Sequence, residues 1–238
     1  MLTIPQNPAA ALAAVRERIT VAARAAGRDP SAVTLIGVAK AQPLERLREA
    51  LDAGLADLGE NYLQEARAHF EALAGRAFGR HFIGALQANK TSDAARLFDW
   101  VHTVDRIRIA ERLAAQRPDP LPPLAVCIQV HLGGESTKSG VAPAGLAELA
   151  GAIAAMPRLR LRGLMCLPPE EKETARQRHW FAELRRLLEG LNAKGYRLDA
   201  LSMGMSGDYE AASAEGATHV RIGTAVFGAR PPSAALRS

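Results

Sequence analysis

Eight short segments with the pattern of β-strands, each followed by a segment with helical spacing, constrain the fold of this chain most strongly. The predicted strands are 33–38, 56–58, 81–84, 100–104, 124–130, 159–165, 198–202 and 219–224. Strands that alternate with helices at this density are parallel and joined by helical crossovers. Eight such units in 238 residues match a closed (β/α)8 TIM barrel, an α/β fold, with an extra N-terminal helix over residues 8–26. No strand is followed by a GxGxxG motif, so an open doubly wound sheet is the weaker alternative.

The composition fits one soluble globular domain. We expect residues 1–238 to form a single domain, because no repeat or low-complexity block interrupts the alternation. The chain has 30 Lys and Arg against 25 Asp and Glu, and the excess is spread along its length. Aromatic residues make up only 5% and there is no basic tract, so little favours a nucleic-acid-binding protein, a class suggested by the basic pI alone.

The cysteines and the N-terminus bear on the cellular compartment. Cys127 and Cys166 lie within apolar runs, with no CxxC motif and no histidine at metal-ligand spacing. This pattern predicts buried, reduced thiols and no metal site. The N-terminus lacks the pattern of a secretory signal, and no apolar run reaches membrane-spanning length. We therefore expect a cytoplasmic protein that binds neither membranes nor nucleic acids.

Lys40 ends the first predicted strand, which consists of apolar and small residues. Binding sites gather at the C-terminal ends of strands in α/β barrels. A partly desolvated amine there loses its proton more easily and becomes a nucleophile toward a carbonyl. The alternative is a lysine that caps the strand and points into water, as most lysines do.

Polar residues also follow other predicted strands. They are Glu60 and Asn61 after the second strand, Asp105 as a helix cap after the fourth, Lys138 in the loop after the fifth, Ser202 and Ser206 after the seventh, and Arg221, Gly223 and Thr224 at the end of the eighth. In a barrel these loops share one rim, so residues far apart in sequence would surround one mouth.

The loops after the seventh and eighth strands have the features of an anion site. Small residues there would expose backbone N–H groups, and a short extra helix is predicted to begin at Thr224. Barrels commonly hold a ligand phosphate at this position, although glycine and serine could also serve only as turn residues. Arg221 needs a partner if it is buried, and that partner could be a protein carboxylate such as Glu60.

Together these features suggest a ligand with three groups. Pyridoxal 5′-phosphate (PLP) carries an aldehyde for a lysine, a phosphate for the anion site and a ring nitrogen for an arginine. Other phosphate-bearing aldehydes or ketones, as used by lysine-dependent aldolases, would satisfy two of the three.

Seven segments carry a resemblance to a known family. They are VAK at 38–40, GENYLQE at 59–65, HFIGALQANK at 81–90, STKSG at 136–140, LRGLM at 161–165, LSMGMS at 201–206 and VRIGTAVFG at 220–228. In this order they resemble the pyridoxal phosphate homeostasis proteins, whose bacterial members are often called YggS and whose eukaryotic members are called PROSC. The match runs from about residue 33 to residue 230.

The resemblance implies a barrel like the N-terminal domain of alanine racemase, with PLP in Schiff-base linkage to Lys40. It also implies phosphate contacts from Ser202, Ser206, Gly223 and Thr224, the Arg221 side chain facing the pyridine nitrogen, Asn61 beside the ring, and His81 and Met203 near the pocket. Family members often carry a second lysine two positions after the first, where this chain has Gln42. Lys138 is retained as a candidate secondary amine.

The resemblance further implies intracellular PLP homeostasis with no established catalytic turnover. The protein would carry PLP reversibly, buffering it or delivering it to PLP-dependent apo-enzymes. An arginine at the ring nitrogen disfavours protonation of that nitrogen, which weakens the ring as an electron sink. The alternative is a racemase-like enzyme. Racemases take a second base from another domain, for which we expect no room here, and we expect a monomer.

Overall fold

The computed structural model describes residues 7–133 and 139–229, and within them eight parallel strands close into a barrel. The strands are β1 Thr34–Val38, β2 Asp57–Glu60, β3 Gly79–Phe82, β4 Trp100–Val104, β5 Leu124–Val130, β6 Leu159–Cys166, β7 Ala200–Ser202 and β8 His219–Ile222. Each strand pairs with its neighbour in chain order, and β1 pairs with β8 through Thr34 opposite His219. The predicted (β/α)8 barrel is confirmed.

The helices surround the barrel and connect its strands. They are α1 Pro8–Ala25, α2 Leu44–Asp52, α3 Leu63–Ala72, α4 Thr91–Leu97, α5 Ile107–Gln116, α6 Leu146–Ala154, α7 Thr174–Asn192, α8 Tyr209–Ala214 and α9 Thr224–Phe227. The extra N-terminal helix α1 buries Leu12, Val15 and Ile19 on one stripe and packs against α2, α8 and α9. The helical spacing of the apolar residues in α1 therefore corresponds to the face of this helix that packs onto the barrel.

Two local expectations were wrong. Asp105 does not cap α5: the N-cap is Arg106, and the Asp105 carboxylate accepts a hydrogen bond from Arg106 Nη1 at 2.7 Å instead. The third strand runs from Gly79 to Phe82 rather than over 81–84, because Gly79 and Arg80 pair with β2 although neither is apolar. The first and last residues of this strand are set by its backbone pairing with neighbouring strands, which cannot be predicted from the hydrophobic pattern.

The barrel wall and the barrel interior are built from different residues. Between the strands and the helices lies a continuous layer of buried aliphatic and aromatic side chains. Inside the barrel, Cys127, Met165 and Ala200 form only a small apolar cluster against Trp100. Both cysteines are buried and unpaired, and burial raises the pKa of each thiol to about 12. Much of the remaining interior is polar, which sets this barrel apart from the aliphatic layers usual for the fold.

Two further features concern membranes and metals. Among the described helices, none combines the length and the apolar character needed to cross a bilayer. Within residues 7–133 and 139–229, no group of three or more His, Cys, Asp or Glu side chains is placed to hold a metal ion.

Candidate functional site

Lys40 lies two residues beyond the C-terminal end of β1, at the rim where the strands end. The preceding residue extends the pairing with β2, because the Ala39 amide donates to the Gly59 carbonyl at 2.9 Å. The Lys40 side chain is half-buried, and its Nζ lies 4.8 Å from the centroid of the Tyr62 ring. A cation over an aromatic face is stabilised by roughly 0.5–1 kcal/mol at such a site. The amine is therefore held at the mouth of the barrel and does not simply point into water.

The backbone immediately after Lys40 is strained. Ala41 has a φ of 54°, in the left-handed region, which costs a non-glycine residue roughly 1–2 kcal/mol. Its amide donates to Glu65 Oε2 at 2.9 Å, so a carboxylate from the first turn of α3 holds this conformation. The turn tucks the Gln42 side chain into the protein, where it is 3% exposed. The position at which the family resemblance implies a second lysine is thus buried in this chain.

Ser206, Gly223 and Thr224 come together at the rim, near the end of β1. The Ala225 amide donates to Ser206 Oγ at 3.5 Å, which links the loop after β7 to the first turn of α9. Gly223 lies against β1, since a Cβ placed on it would be 3.5 Å from the Val38 Cβ. This arrangement offers a hydroxyl and backbone N–H groups to an anion next to the strand that carries the amine.

Arg221 lies inside the barrel and is 3% exposed. Its Nη1 donates to Ser202 Oγ at 2.8 Å and its Nη2 donates to the Cys166 carbonyl at 2.9 Å. Among the described residues no carboxylate forms an ion pair with it, and burial lowers the pKa of this guanidinium. Glu60 is not its partner: Glu60 Oε1 lies 2.6 Å from His69 Nδ1 of α3, on the outer face of β2.

Ser202 does not join the group of rim residues expected to contact phosphate. Its side chain is fully buried, and its hydroxyl lies between Arg221 and His102, 2.8 Å from each. The last residue of β7 faces the barrel interior, whereas Ser206 lies in the loop beyond. The two serines of the LSMGMS segment therefore have different surroundings.

The remaining predicted site residues lie at different depths. Asn61 follows β2 at the rim, and a Cβ on Gly84 would lie 2.1 Å from the Asn61 carbonyl oxygen, so glycine is required there. Met203 is fully buried just after β7. His81 lies in the interior, with Nε2 2.9 Å from Asp57 Oδ1 and Nδ1 2.9 Å from His102 Nε2. Lys138 lies outside the described residues.

Four residues near the site were not predicted from the sequence: Asp57, Tyr62, His102 and His219. Tyr62 is 51% exposed, an unusual position for a large aromatic side chain directly after a strand. His102 and His219 are polar residues at inward-facing positions of apolar strands, a signal that period-two spacing could have revealed.

Two interior histidines, His102 and His219, are held neutral. Burial lowers the pKa of His102 well below its ordinary value, and the neighbouring His81, His219 and Arg221 act in the same direction. Burial and then His81 lower the pKa of His219 to about 4. Both rings are thus uncharged imidazoles at neutral pH, able to donate from one nitrogen and accept at the other.

Two cavities open at the rim. One of about 520 Å³ is lined by Asn61, Tyr62, Gly84 and neighbouring residues of the loops after β2 and β3. The other, of about 310 Å³, is lined by residues that include Thr103, Gln129 and Leu167. Both lie at the mouth, and Tyr62 connects the larger one to Lys40.

The sequence of the chain matches known proteins over nearly its whole length. Residues 11–231 match the family model for the alanine racemase N-terminal domain. The pyridoxal phosphate homeostasis protein of Pseudomonas aeruginosa is 55% identical over 230 residues, covering 97% of each chain. The chain belongs to the pyridoxal phosphate homeostasis protein family. The Escherichia coli K12 homeostasis protein is 50% identical over 222 residues, covering 92% of this chain and 95% of that protein.

Solved structures agree with this membership in the homeostasis protein family. PipY of Synechococcus elongatus PCC7942, determined with PLP bound, is 36% identical with a TM-score of 0.82, and the match covers 93% of this chain and all of PipY. Alanine racemase of Clostridium difficile 630 is 14% identical with a TM-score of 0.72, and the match covers 95% of this chain but 58% of the racemase. The second likeness concerns the fold alone.

The pKa of His219 makes the stability of the protein depend on pH. Its folded-state pKa of about 4 lies below the ordinary value of 6.5, so between these pH values the unfolded chain binds a proton that the folded chain does not. We expect this residue to lower the free energy of unfolding by about 2 kcal/mol from pH 7 to pH 5. Urea denaturation at the two pH values measures the change.

His219→Asn is the matched control, because an asparagine amide keeps a polar atom near His219 Nδ1, which lies 2.8 Å from Thr218 Oγ1. The variant should lose less stability on acidification than the parent protein. Acidification also lowers the free energy of unfolding through His102, whose pKa is lowered, and raises it through Glu60, whose pKa is raised by burial. Both residues are present in the parent protein and in the variant, so their effects cancel in the comparison. An equal loss in parent and variant would contradict the assignment.

Proposed function

We propose that residues 1–238 form a single PLP-binding barrel that carries PLP reversibly for intracellular PLP homeostasis. The observation that carries this proposal is the combination of two groups at the mouth, the Lys40 amine and the Ser206–Thr224 anion site, with the Arg221 guanidinium buried in the interior below them. The relatives named for PLP homeostasis and the PLP-bound PipY structure support the same ligand.

The donor set fits PLP. Arg221 has only N–H donors and no carboxylate partner among the described residues, so it suits a neutral pyridine nitrogen, which accepts a hydrogen bond. Ser206 and the amides at Gly223 and Thr224 suit a phosphate. Asn61 at the rim would lie beside the ring, and buried Met203 would support the pocket from below.

When bound, PLP supplies an aldehyde that a primary amine converts reversibly to a Schiff base. Lys40 must first lose a proton and leave the face of Tyr62, since the ring stabilises the ammonium form. The neutral Nζ then adds to the aldehyde carbon, a carbon–nitrogen double bond forms and water leaves. Addition of water reverses the linkage, so the same residue would bind and release the cofactor.

The surroundings of Arg221 favour a carrier over an enzyme. A permanent cation at the ring nitrogen opposes its protonation and so weakens the ring as an electron sink. A monomeric cytoplasmic protein could buffer PLP or deliver it to apo-enzymes. Either role requires the Schiff-base linkage to Lys40 but no carbanion stabilised by the ring. A racemase-like activity is the competing candidate, favoured by the shared fold with alanine racemase.

Lys40→Ala should abolish the visible absorbance of the PLP-loaded protein, because the variant lacks the amine that forms the linkage. Borohydride reduction followed by peptide mass mapping should label Lys40 in the parent protein. Lys194→Ala is the matched control, since Lys194 is exposed just beyond the C-terminal end of α7 and should leave both results unchanged. A label on another lysine would contradict the proposed site.

The same proteins separate a carrier from an enzyme. Loaded parent protein incubated with alanine or other small amino acids in D₂O should exchange the α-proton no faster than free PLP. If exchange were well above that rate and depended on Lys40, the result would contradict the carrier proposal and support a racemase-like enzyme.

Ser206→Ala should weaken PLP binding by about 10-fold or more, because a hydrogen bond to a charged group contributes roughly 1.5–3 kcal/mol. Binding of pyridoxal, which lacks the phosphate, should be unchanged. Absorbance titrations with both ligands measure the difference. Ser202→Ala is the comparison variant: its effect should be equal for the two ligands, because its hydroxyl contacts Arg221 and His102. A phosphate-specific loss at Ser202 would contradict this separation of roles.

A further inference from the structure

Five polar side chains form a continuous hydrogen-bonded chain across the barrel interior. Asp57 Oδ1 lies 2.9 Å from His81 Nε2, and His81 Nδ1 lies 2.9 Å from His102 Nε2. His102 Nδ1 lies 2.8 Å from Ser202 Oγ, which accepts from Arg221 Nη1 at 2.8 Å. The chain joins β2, β3, β4, β7 and β8, and so connects the beginning of β2 with the guanidinium below the rim.

With His81 neutral, the two ends of this chain fix the direction of every hydrogen bond within it. Arg221 can only donate, and an ionised Asp57 can only accept. His81 therefore donates from Nε2 to Asp57 and accepts at Nδ1 from His102 Nε2–H. The remaining nitrogen of His102, Nδ1, then accepts from the Ser202 hydroxyl. Both histidines are neutral in this arrangement and both carry their proton on Nε2.

This direction matters for Arg221 because a hydroxyl has one proton and two lone pairs. With its proton directed to His102, Ser202 presents only lone pairs to the guanidinium. Without an acceptor at His102 Nδ1, the buried hydroxyl proton would have to turn elsewhere, and the serine would no longer be fixed as an acceptor for Arg221 Nη1. Burial, which lowers the pKa of His102 well below its ordinary value, keeps that acceptor unprotonated.

Asp57 places a negative charge at the far end of the chain, in addition to Asp208, whose charge acts on Arg221 without an ion-pair contact. The Asp57 side chain is 22% exposed at the start of β2, where water reduces the cost of its ionisation. Three neutral groups separate it from the guanidinium. The buried cation is thus stabilised through a polarised chain rather than by a contact ion pair.

We propose that His102 is a positioning residue that, through Ser202, holds the Arg221 guanidinium toward the ring nitrogen of PLP. Asp57 and His81 set the direction of the chain from the opposite end of the barrel. This inference rests on the proposed function for its ligand, but the hydrogen-bond order in the protein alone does not depend on PLP.

A matched pair of variants tests the role of His102. The side-chain amide of asparagine lies where imidazole Nδ1 lies, and that of glutamine lies near Nε2. His102→Asn therefore keeps an acceptor for Ser202, whereas His102→Gln keeps the contact with His81 and removes that acceptor. If His102 served only in packing, the two variants would have equal effects on the PLP ring nitrogen, or effects that follow the volume of the new side chain.

The readout with ligand is the ¹⁵N chemical shift of PLP labelled at its ring nitrogen, followed against pH. In His102→Gln the ring nitrogen should accept a proton about tenfold more readily, a shift of about one pH unit, because Arg221 is no longer held against it. His102→Asn should follow the parent protein. Identical titrations of the two variants would overturn the proposal.

The readout without ligand is imidazole ¹⁵N NMR of the unmodified protein, which needs no variant to fold. His81 and His102 should both be neutral Nε2–H tautomers at pH 7. A proton on Nδ1 of His102, or a charged His102, would overturn the proposed chain even if PLP binds. Failure of the parent protein to bind PLP would instead refute the proposed function and leave the NMR result to decide the hydrogen-bond order.

Discussion

The buried guanidinium of Arg221 is the constraint on which the rest of the interior depends. A cation removed from water is costly unless polar groups surround it, and here they are the Ser202 hydroxyl and the Cys166 carbonyl. Ser202 is itself oriented by His102, and His102 by His81 and Asp57. The interior of this barrel is therefore polar where most barrels are aliphatic, and the outer layer between strands and helices supplies most of the apolar packing.

The rim residues around this interior suit a reversible carrier of PLP. The Lys40 amine lies over the Tyr62 ring, and the strained turn at Ala41 is maintained by Glu65. Neither contact is strong, so the amine can leave the ring and react. Below it, a fixed cation at the ring nitrogen would favour binding of the neutral pyridine and oppose the electron withdrawal that turnover requires. Under the proposed function, binding and weak reactivity would both follow from Arg221.

The sequence predicted the barrel and the rim better than the interior. Strand position alone brings to one mouth four residues that lie within four positions of a strand end: Lys40, Asn61, Ser206 and Thr224. The family resemblance implies phosphate contacts from both Ser202 and Ser206, and only the register of β7 reveals that Ser202 faces inward. Asp57 and His102 meet through His81 across long sequence separations, which no local pattern reports. The sequence allowed Glu60 as one possible partner for Arg221, but the alternation along β2 directs it outward to His69.

A crystal structure of the protein with PLP bound tests the central claim most directly. Our account predicts Lys40 Nζ joined to the aldehyde carbon, the phosphate between Ser206 and Thr224, and the Arg221 guanidinium hydrogen-bonded to the ring nitrogen while it keeps its contact with Ser202. A ring nitrogen that faces a carboxylate, or a cofactor attached to another lysine, would contradict it.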